Sequence, residues 1–149
     1  MSYLDGIQDN PRLINGPGEY SVADVTLYAQ GWQGSNGSEQ TVQRWHIENM
    51  VIVHLGALDR VLTPAELQGL EQTDIDILLL PIGQTDESLK TALSLLSTLE
   101  PRVVIPINYD SAAGFAKEMG VSIRDAQPKL TISRRKLPAE GLETVILTA

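Results

Sequence analysis

The sequence contains no cysteine, which removes disulfide scaffolding, thiol catalysis and thiolate metal sites together. Histidine is nearly as scarce: only His46 and His54 occur in 149 residues, whereas a histidine-built metal site needs two or three imidazoles plus a carboxylate on one point. Basic side chains are also few, 11 against 19 acidic, for a formal charge of −8. Such a surface repels phosphate backbones and anionic lipid, so no nucleic acid and no membrane partner are expected. No apolar run is long enough to span a bilayer, and the opening Met1-Ser2-Tyr3-Leu4-Asp5-Gly6 has no leader pattern, which makes a cytoplasmic location the default. Several catalytic signatures are missing too. There is no Gly-x-Ser-x-Gly elbow, no Walker-type loop and no Gly-x-Gly-x-x-Gly after a strand.

What is present is enough for a core. Hydrophobic residues make up 42% and charged residues 20%, in a chain of single-domain size, so residues 1–149 are read as one domain. Turn formers crowd the opening, leaving room only for a short strand around Arg12 to Ile14. Strands are predicted at Val25 to Ala29, Val42 to Ile47 and Met50 to His54, the last two joined tightly through Glu48-Asn49. Thr63-Pro64-Ala65-Glu66 is a capping box opening a short helix to about Leu70. Ile77 to Leu80 and Val103 to Ile105 are short apolar runs of the kind that form strands buried on both faces. Between and after them, Thr85-Asp86-Glu87 opens a second helix with Leu89, Ala92, Leu93 and Leu96 on one face. Ser111 to Met119 reads as a third helix, capped by Gly120. Two last strands are expected around Leu130 to Ser133 and Thr144 to Leu147. The class is α/β, with one mixed sheet that is largely parallel at its centre.

In such sheets the functional loops lie beyond the carboxyl ends of the parallel strands. Three should meet there: His54 to Asp59, Pro81 to Gln84, and Pro106 to Asp110. Their reagents are thin, with His54, Asp59, Asp86 and Asp110 as ionisable groups and Asn108 and Tyr109 as hydrogen-bonding groups. His46, inside a strand pattern, is read as structural, and His54 at a strand end is read the same way first. A metal-free small-molecule enzyme using His54 with Asp59 or Asp110 remains a minor alternative. Asp74 and Asp76 alternate before a strand, where capping and solvent roles are usual. Arg134-Arg135-Lys136 reads as a solvated run in a turn.

Four ordered segments add a resemblance: Asn15-Gly16-Pro17-Gly18-Glu19-Tyr20, His54-Leu55-Gly56-Ala57-Leu58-Asp59, Leu79-Leu80-Pro81-Ile82-Gly83 and Val104-Ile105-Pro106-Ile107-Asn108-Tyr109. Together, from about Pro11 onward, the chain resembles the C-terminal half of metal-dependent hydrolases of the metallo-β-lactamase superfamily. The resemblance implies half of a four-layer αββα sandwich, one mixed sheet with helices on one face. It places the family's His-x-His-x-Asp-His signature ahead of Met1. It also implies an aspartate ligand after the glycine of the second motif, where Ala57 stands, and a histidine ligand where Asn108 stands; Gln30 to Asn36 supplies no substitute histidine. Alanine offers a cation nothing, and a neutral amide replaces imidazole poorly. No catalytic residue, metal or cofactor is therefore expected. The residual pocket would comprise His54, Gly56, Asp59, Asn108, Tyr109 and Asp110. The resemblance then points to a non-catalytic homologue that acts as a dimerising or ligand- and partner-binding module. The alternative is a Zn-type hydrolase completed by a missing N-terminal half or partner chain. A lone half would leave the inner face of its sheet in water, forfeiting about 25 cal/mol per Å² of apolar area. A homodimer through that face would cover it.

Overall fold

The computed structural model describes residues 14, 16–70 and 74–148. The strand expected around Arg12 to Ile14 falls, apart from Ile14, outside the described residues. Seven strands form one sheet in sequential order: β1 (Gly18–Val22), β2 (Val25–Gln33), β3 (Glu39–Ile47), β4 (Met50–His54), β5 (Ile77–Pro81), β6 (Val103–Ile107) and β7 (Glu143–Thr144). From β1 to β4 they form an antiparallel meander, and from β4 to β7 they run parallel. Helices α1 (Pro64–Leu70), α2 (Asp86–Leu99) and α3 (Ala113–Met119) follow β4, β5 and β6. The mixed α/β sheet is the one the sequence predicts, with β1 as an addition and β2 and β3 longer than expected.

Local chemistry accounts for the joints. Glu48 and Asn49 both adopt positive φ, 49° and 62°, the two-residue turn whose twist matches that of the strands it joins. In the box before α1, Glu66 N–H donates to Thr63 Oγ1 at 3.3 Å while Thr63 N–H donates to Glu66 Oε2 at 2.9 Å. Thr85 caps α2 by accepting from Ser88 N–H, and Gly120 ends α3 in the left-handed region.

The two faces of the sheet are covered differently. On the outer face, Val53, Leu78, Leu80 and Val104 meet Ala92, Leu95, Leu96, Leu99 and Phe115 from the helices. Each aliphatic side chain sealed in this layer contributes about 2 kcal/mol. Also on this face, His46 packs edge-to-face on Tyr28 with ring centroids 5.5 Å apart, and Arg44 lies over the same ring. Burial, with Arg44 nearby, holds the His46 pKa below its ordinary value.

On the inner face, Met50, Ile77, Val103, Ile105 and Val145 pack with Leu130, Ile132 and Leu137. This corrects two expectations. Leu130 to Ser133 is not a strand but part of a strap, residues 127–137, extended as far as Ser133 and closing in a 3-10 turn at Arg134–Lys136, that lies across the sheet face. The alternation that suggested a strand is that of any extended segment with one apolar side, and it does not tell edge pairing from crossing a face. The inner face is therefore not left wholly in water, because the chain covers the β4–β6 region itself. The last strand is also shorter than expected: β7 ends at Thr144, and Leu147 makes only an isolated bridge to Gln127.

Two charged groups expected in solvent anchor the strap. Asp76 is 3% exposed. Its Oδ2 accepts from Val51 N–H at 2.8 Å, and Arg102 Nε and Arg134 Nη1 stand 3.6 and 3.8 Å from its carboxylate. Arg134 Nη1 also donates to Asn49 O at 2.6 Å. A buried carboxylate needs such partners, and proximity in space supplies an arginine far along the chain that sequence spacing does not reveal.

Candidate functional site at the carboxyl edge

The parallel strands bring the three predicted loops together. Leu55 N–H donates to Leu79 O, Ile82 N–H to Ile107 O and Gly83 N–H to Asn108 O, at 3.2, 3.1 and 3.1 Å. The first and third loops are tied by a side chain, since Asn108 Nδ2 donates to Gly56 O at 2.8 Å. Asn108 itself adopts φ 53°, a left-handed geometry that asparagine tolerates better than most residues. Gly56, with φ 64°, is also constrained: a Cβ there would lie 2.8 Å from Thr41 O.

Each remaining candidate has its own place. His54, half-buried, accepts from Gly56 N–H through Nδ1 at 2.9 Å. The neutral ring then carries its proton on Nε2, and burial keeps the pKa of His54 below its ordinary value. Asp59 is engaged elsewhere, on the β2–β3 loop, accepting from Ser35 N–H at 2.8 Å and from the Ser35 hydroxyl. These bonds hold its pKa below the usual carboxylate range. Tyr109 donates its hydroxyl to Leu147 O at 3.2 Å. Asn108, Tyr109 and Asp110 line a groove of about 710 Å³ on the inner face, floored by Leu79, Ile105 and Ile107. Asp86 and Asp110 share the lining of a smaller hollow, about 240 Å³, between the starts of α2 and α3.

Sequence reasoning passed over Arg60. Its guanidinium makes a two-pronged contact with Glu66, at 2.8 and 2.7 Å, and Nε donates to Gln33 O at 2.6 Å. The arginine and the Thr63 amide depress the Glu66 pKa to about 2. The signal was available in the spacing, since a capping-box glutamate six residues after an arginine is a ready partner for it.

A family profile described as a beta-lactamase superfamily domain matches residues 2–108. The chain belongs to that family. Among solved structures, a Thermotoga maritima protein described as a Zn-dependent hydrolase of the metallo-β-lactamase superfamily is similar at 25% identity and TM-score 0.69. The match covers 93% of this chain and 74% of that one. A metallo hydrolase from the archaeon Ignicoccus hospitalis matches at 20% identity and TM-score 0.54, over 78% of this chain and 55% of that one. The metallo-β-lactamase fold protein YhfI of Bacillus subtilis matches at 8% and 0.53, over 88% and 50%. The chain thus spans about three quarters of the first neighbour and about half of the other two. A search of curated protein sequences finds no match.

The fold is that of the metallo-β-lactamase superfamily. Its metal chemistry finds a poor donor set in the described residues. The Ala57 side chain has no donor atom, and Asn108 offers only a neutral amide oxygen, its N–H turned to Gly56 O, a weaker ligand than imidazole. No three histidine, aspartate or glutamate side chains among the described residues are grouped so as to hold a metal ion.

Proposed function

We propose that this chain is a non-catalytic member of the superfamily, a module that dimerises or binds a partner or ligand through the inner face of its sheet. The observation that supports this reading is the Asn108–Gly56 hydrogen bond. The side chain at the family's histidine position serves as a structural tie between two loops, while the family's aspartate position holds Ala57. His54, Gly56, Asn108, Tyr109 and Asp110 then mark a residual binding edge, with Asp59 tethered beside it by Ser35. The module acts as one unit over residues 1–149, takes no metal or other cofactor, and resides in the cytoplasm.

Elemental analysis of protein purified without chelators tests this reading. The expected result is a metal content far below one ion per chain. Stoichiometric zinc, manganese or iron would overturn it.

The likeness to the Thermotoga maritima protein supports a second reading, a Zn-type hydrolase completed by an N-terminal half or a partner chain. Under that reading the separately expressed histidine-bearing half of a relative, mixed with this chain, produces zinc retention and hydrolysis that neither shows alone. A mixture without either property removes it.

A further inference from the structure

The helix-covered face carries an apolar groove at the end of the sheet opposite the three loops. It has a volume of about 580 Å³ and lies between the last turns of α2 and α3 and the Gly141-Leu142 segment that leads into β7. Leu93, Leu96 and Pro101 line it from the α2 side, Met119 from α3 and Leu142 from the third side. Leu93 and Met119 are partly exposed, and Leu142 keeps 39% of its surface in water. Other apolar residues of the same helices, such as Leu95, Leu99 and Phe115, pack down on the sheet, so the groove is a second apolar surface beside the core. Exposed apolar surface gathered in one concavity, with polar groups at its rim, is the mark of an interaction site.

Charge narrows what can occupy it. Glu100 is part of the lining, and the exposed Glu118 and Glu140 adjoin the lining residues Met119 and Gly141. Helices α2 and α3 both end here, so the negative ends of two helix dipoles add to the carboxylates. The last turn of α2 holds no basic residue. Basic side chains on the same elements lie away from the acidic end. Lys90 is ten residues before Glu100, about 15 Å along α2, and Lys117 is about 200° round α3 from Met119. Arg102 stands 3.6 Å from Asp76. Glu143 takes no part in the rim, because it pairs in register with Val103, whose side chain belongs to the inner-face cluster.

We infer that this groove docks a basic amphipathic helix of a protein partner, which inserts two apolar side chains one turn apart and sets lysine or arginine against Glu100, Glu118 and Glu140. A helix suits it because side chains at i and i+4 form one ridge, the shape that a groove walled by leucine and methionine side chains accepts. Methionine at the wall adapts to the anchor's shape. The chain's net charge of −8 draws a cationic segment in, and an acidic helix is turned away by the same rim. The groove is on the face opposite the inner one, so the inference does not rest on the inner-face reading above.

Fluorescein-labelled model peptides of about 16 residues, long enough to populate a helix, test this by anisotropy against the full chain. Each is alanine-based with leucines in an i, i+4 stripe, and its flanking positions carry lysine, glutamine or glutamate. The lysine peptide is expected to bind, more weakly as salt rises, and at least about tenfold more tightly than the glutamate peptide. Leu142→Glu, at an exposed side chain, should weaken it by about tenfold, as for loss of an apolar anchor contact. Glu100→Lys with Glu140→Lys should shift the preference toward the glutamate peptide. Amide NMR shifts caused by the lysine peptide should concentrate at Leu93, Ser97, Gly141 and Leu142 in the lining. Circular dichroism checks that each variant folds. No binding of the lysine peptide at about 1 mM, binding that Leu142→Glu leaves unchanged, or NMR shifts confined to other surfaces would overturn the site. Equal affinity for the three peptides, or a preference that the double reversal leaves in place, would overturn the basic character of the partner.

Discussion

At one end of the parallel strands a buried carboxylate, Asp76, gathers Val51 N–H and two arginines. At the other end the loops are held by a neutral amide, a backbone carbonyl and a neutral imidazole. Two charges near that edge are engaged beside it, Asp59 by Ser35 and Arg60 by Glu66, while Asp110 stays in its lining. The contrast teaches that this chain uses buried charge to fasten its strap and uses small neutral groups to shape its carboxyl edge. A metal site needs the reverse, namely donors with free lone pairs aimed at an open point.

Removing Asp76 tests the fastened end and should have the largest effect. Asp76→Ala leaves the Val51 N–H without its acceptor and Arg102 and Arg134 without a nearby counter-charge, and should cost about 2–3 kcal/mol in urea unfolding. A loss below about 1 kcal/mol would mean the strap is held by its apolar side chains alone. At the opposite end, Gly56→Ala forces a Cβ against Thr41 O in a left-handed residue, with an expected cost of about 2 kcal/mol by the same measurement.

Asn108→Ala removes one hydrogen bond at a surface edge and should cost about 1 kcal/mol. Asn108→Asp should cost more than the alanine at neutral pH, because a carboxylate would face Gly56 O, and the two should converge as the new carboxyl is protonated. If Asn108→Asp proves the more stable of the two, the amide is not acting as the tie.

Glu66→Gln should cost about 0.5–1 kcal/mol at neutral pH, since its partner Arg60 is partly exposed. The folded-state pKa of Glu66, about 2, lies below its ordinary value of 4.5. Its stabilisation is thus complete above about 4.5 and lost as pH falls toward 2, so the gap between wild type and variant should close over that window.

The smallest expected effect is a slope. His54 is depressed by burial below 6.5, so the unfolded chain binds its proton first. Stability then falls as pH drops from about 6.5 toward the folded-state value. His54→Gln should flatten this slope in thermal unfolding between pH 7 and 5, and an unchanged slope would assign it to other groups.

Much of this architecture was legible in the order of residues. Capping at Thr63 and Thr85, the tight turn at Glu48-Asn49, the apolar runs of β5 and β6 and the meeting of three loops all rest on neighbours along the chain or on the crossover geometry of parallel strands. So does the resemblance to the superfamily, because Ala57 and Asn108 stand in recognisable motifs. Other features were out of reach. Asp76 and Arg134 are far apart in sequence, and so are Asn108 and Gly56; nothing local distinguishes a buried carboxylate from a solvated one or a loop tie from an exposed amide. β1 was hidden by turn formers around Gly16-Pro17-Gly18, whose strand character depends on pairing with β2.

The sequence by itself determined most of the element types, their order and the side chains available at the carboxyl edge, since propensity, periodicity and side-chain identity are properties of short segments. Only the tertiary structure decided that residues 127–137 cross the sheet instead of joining its edge, and that a buried carboxylate holds them there. An extended apolar segment fits an edge or a face equally well by pattern, and the choice is made by which surface remains to be covered once the sheet has formed.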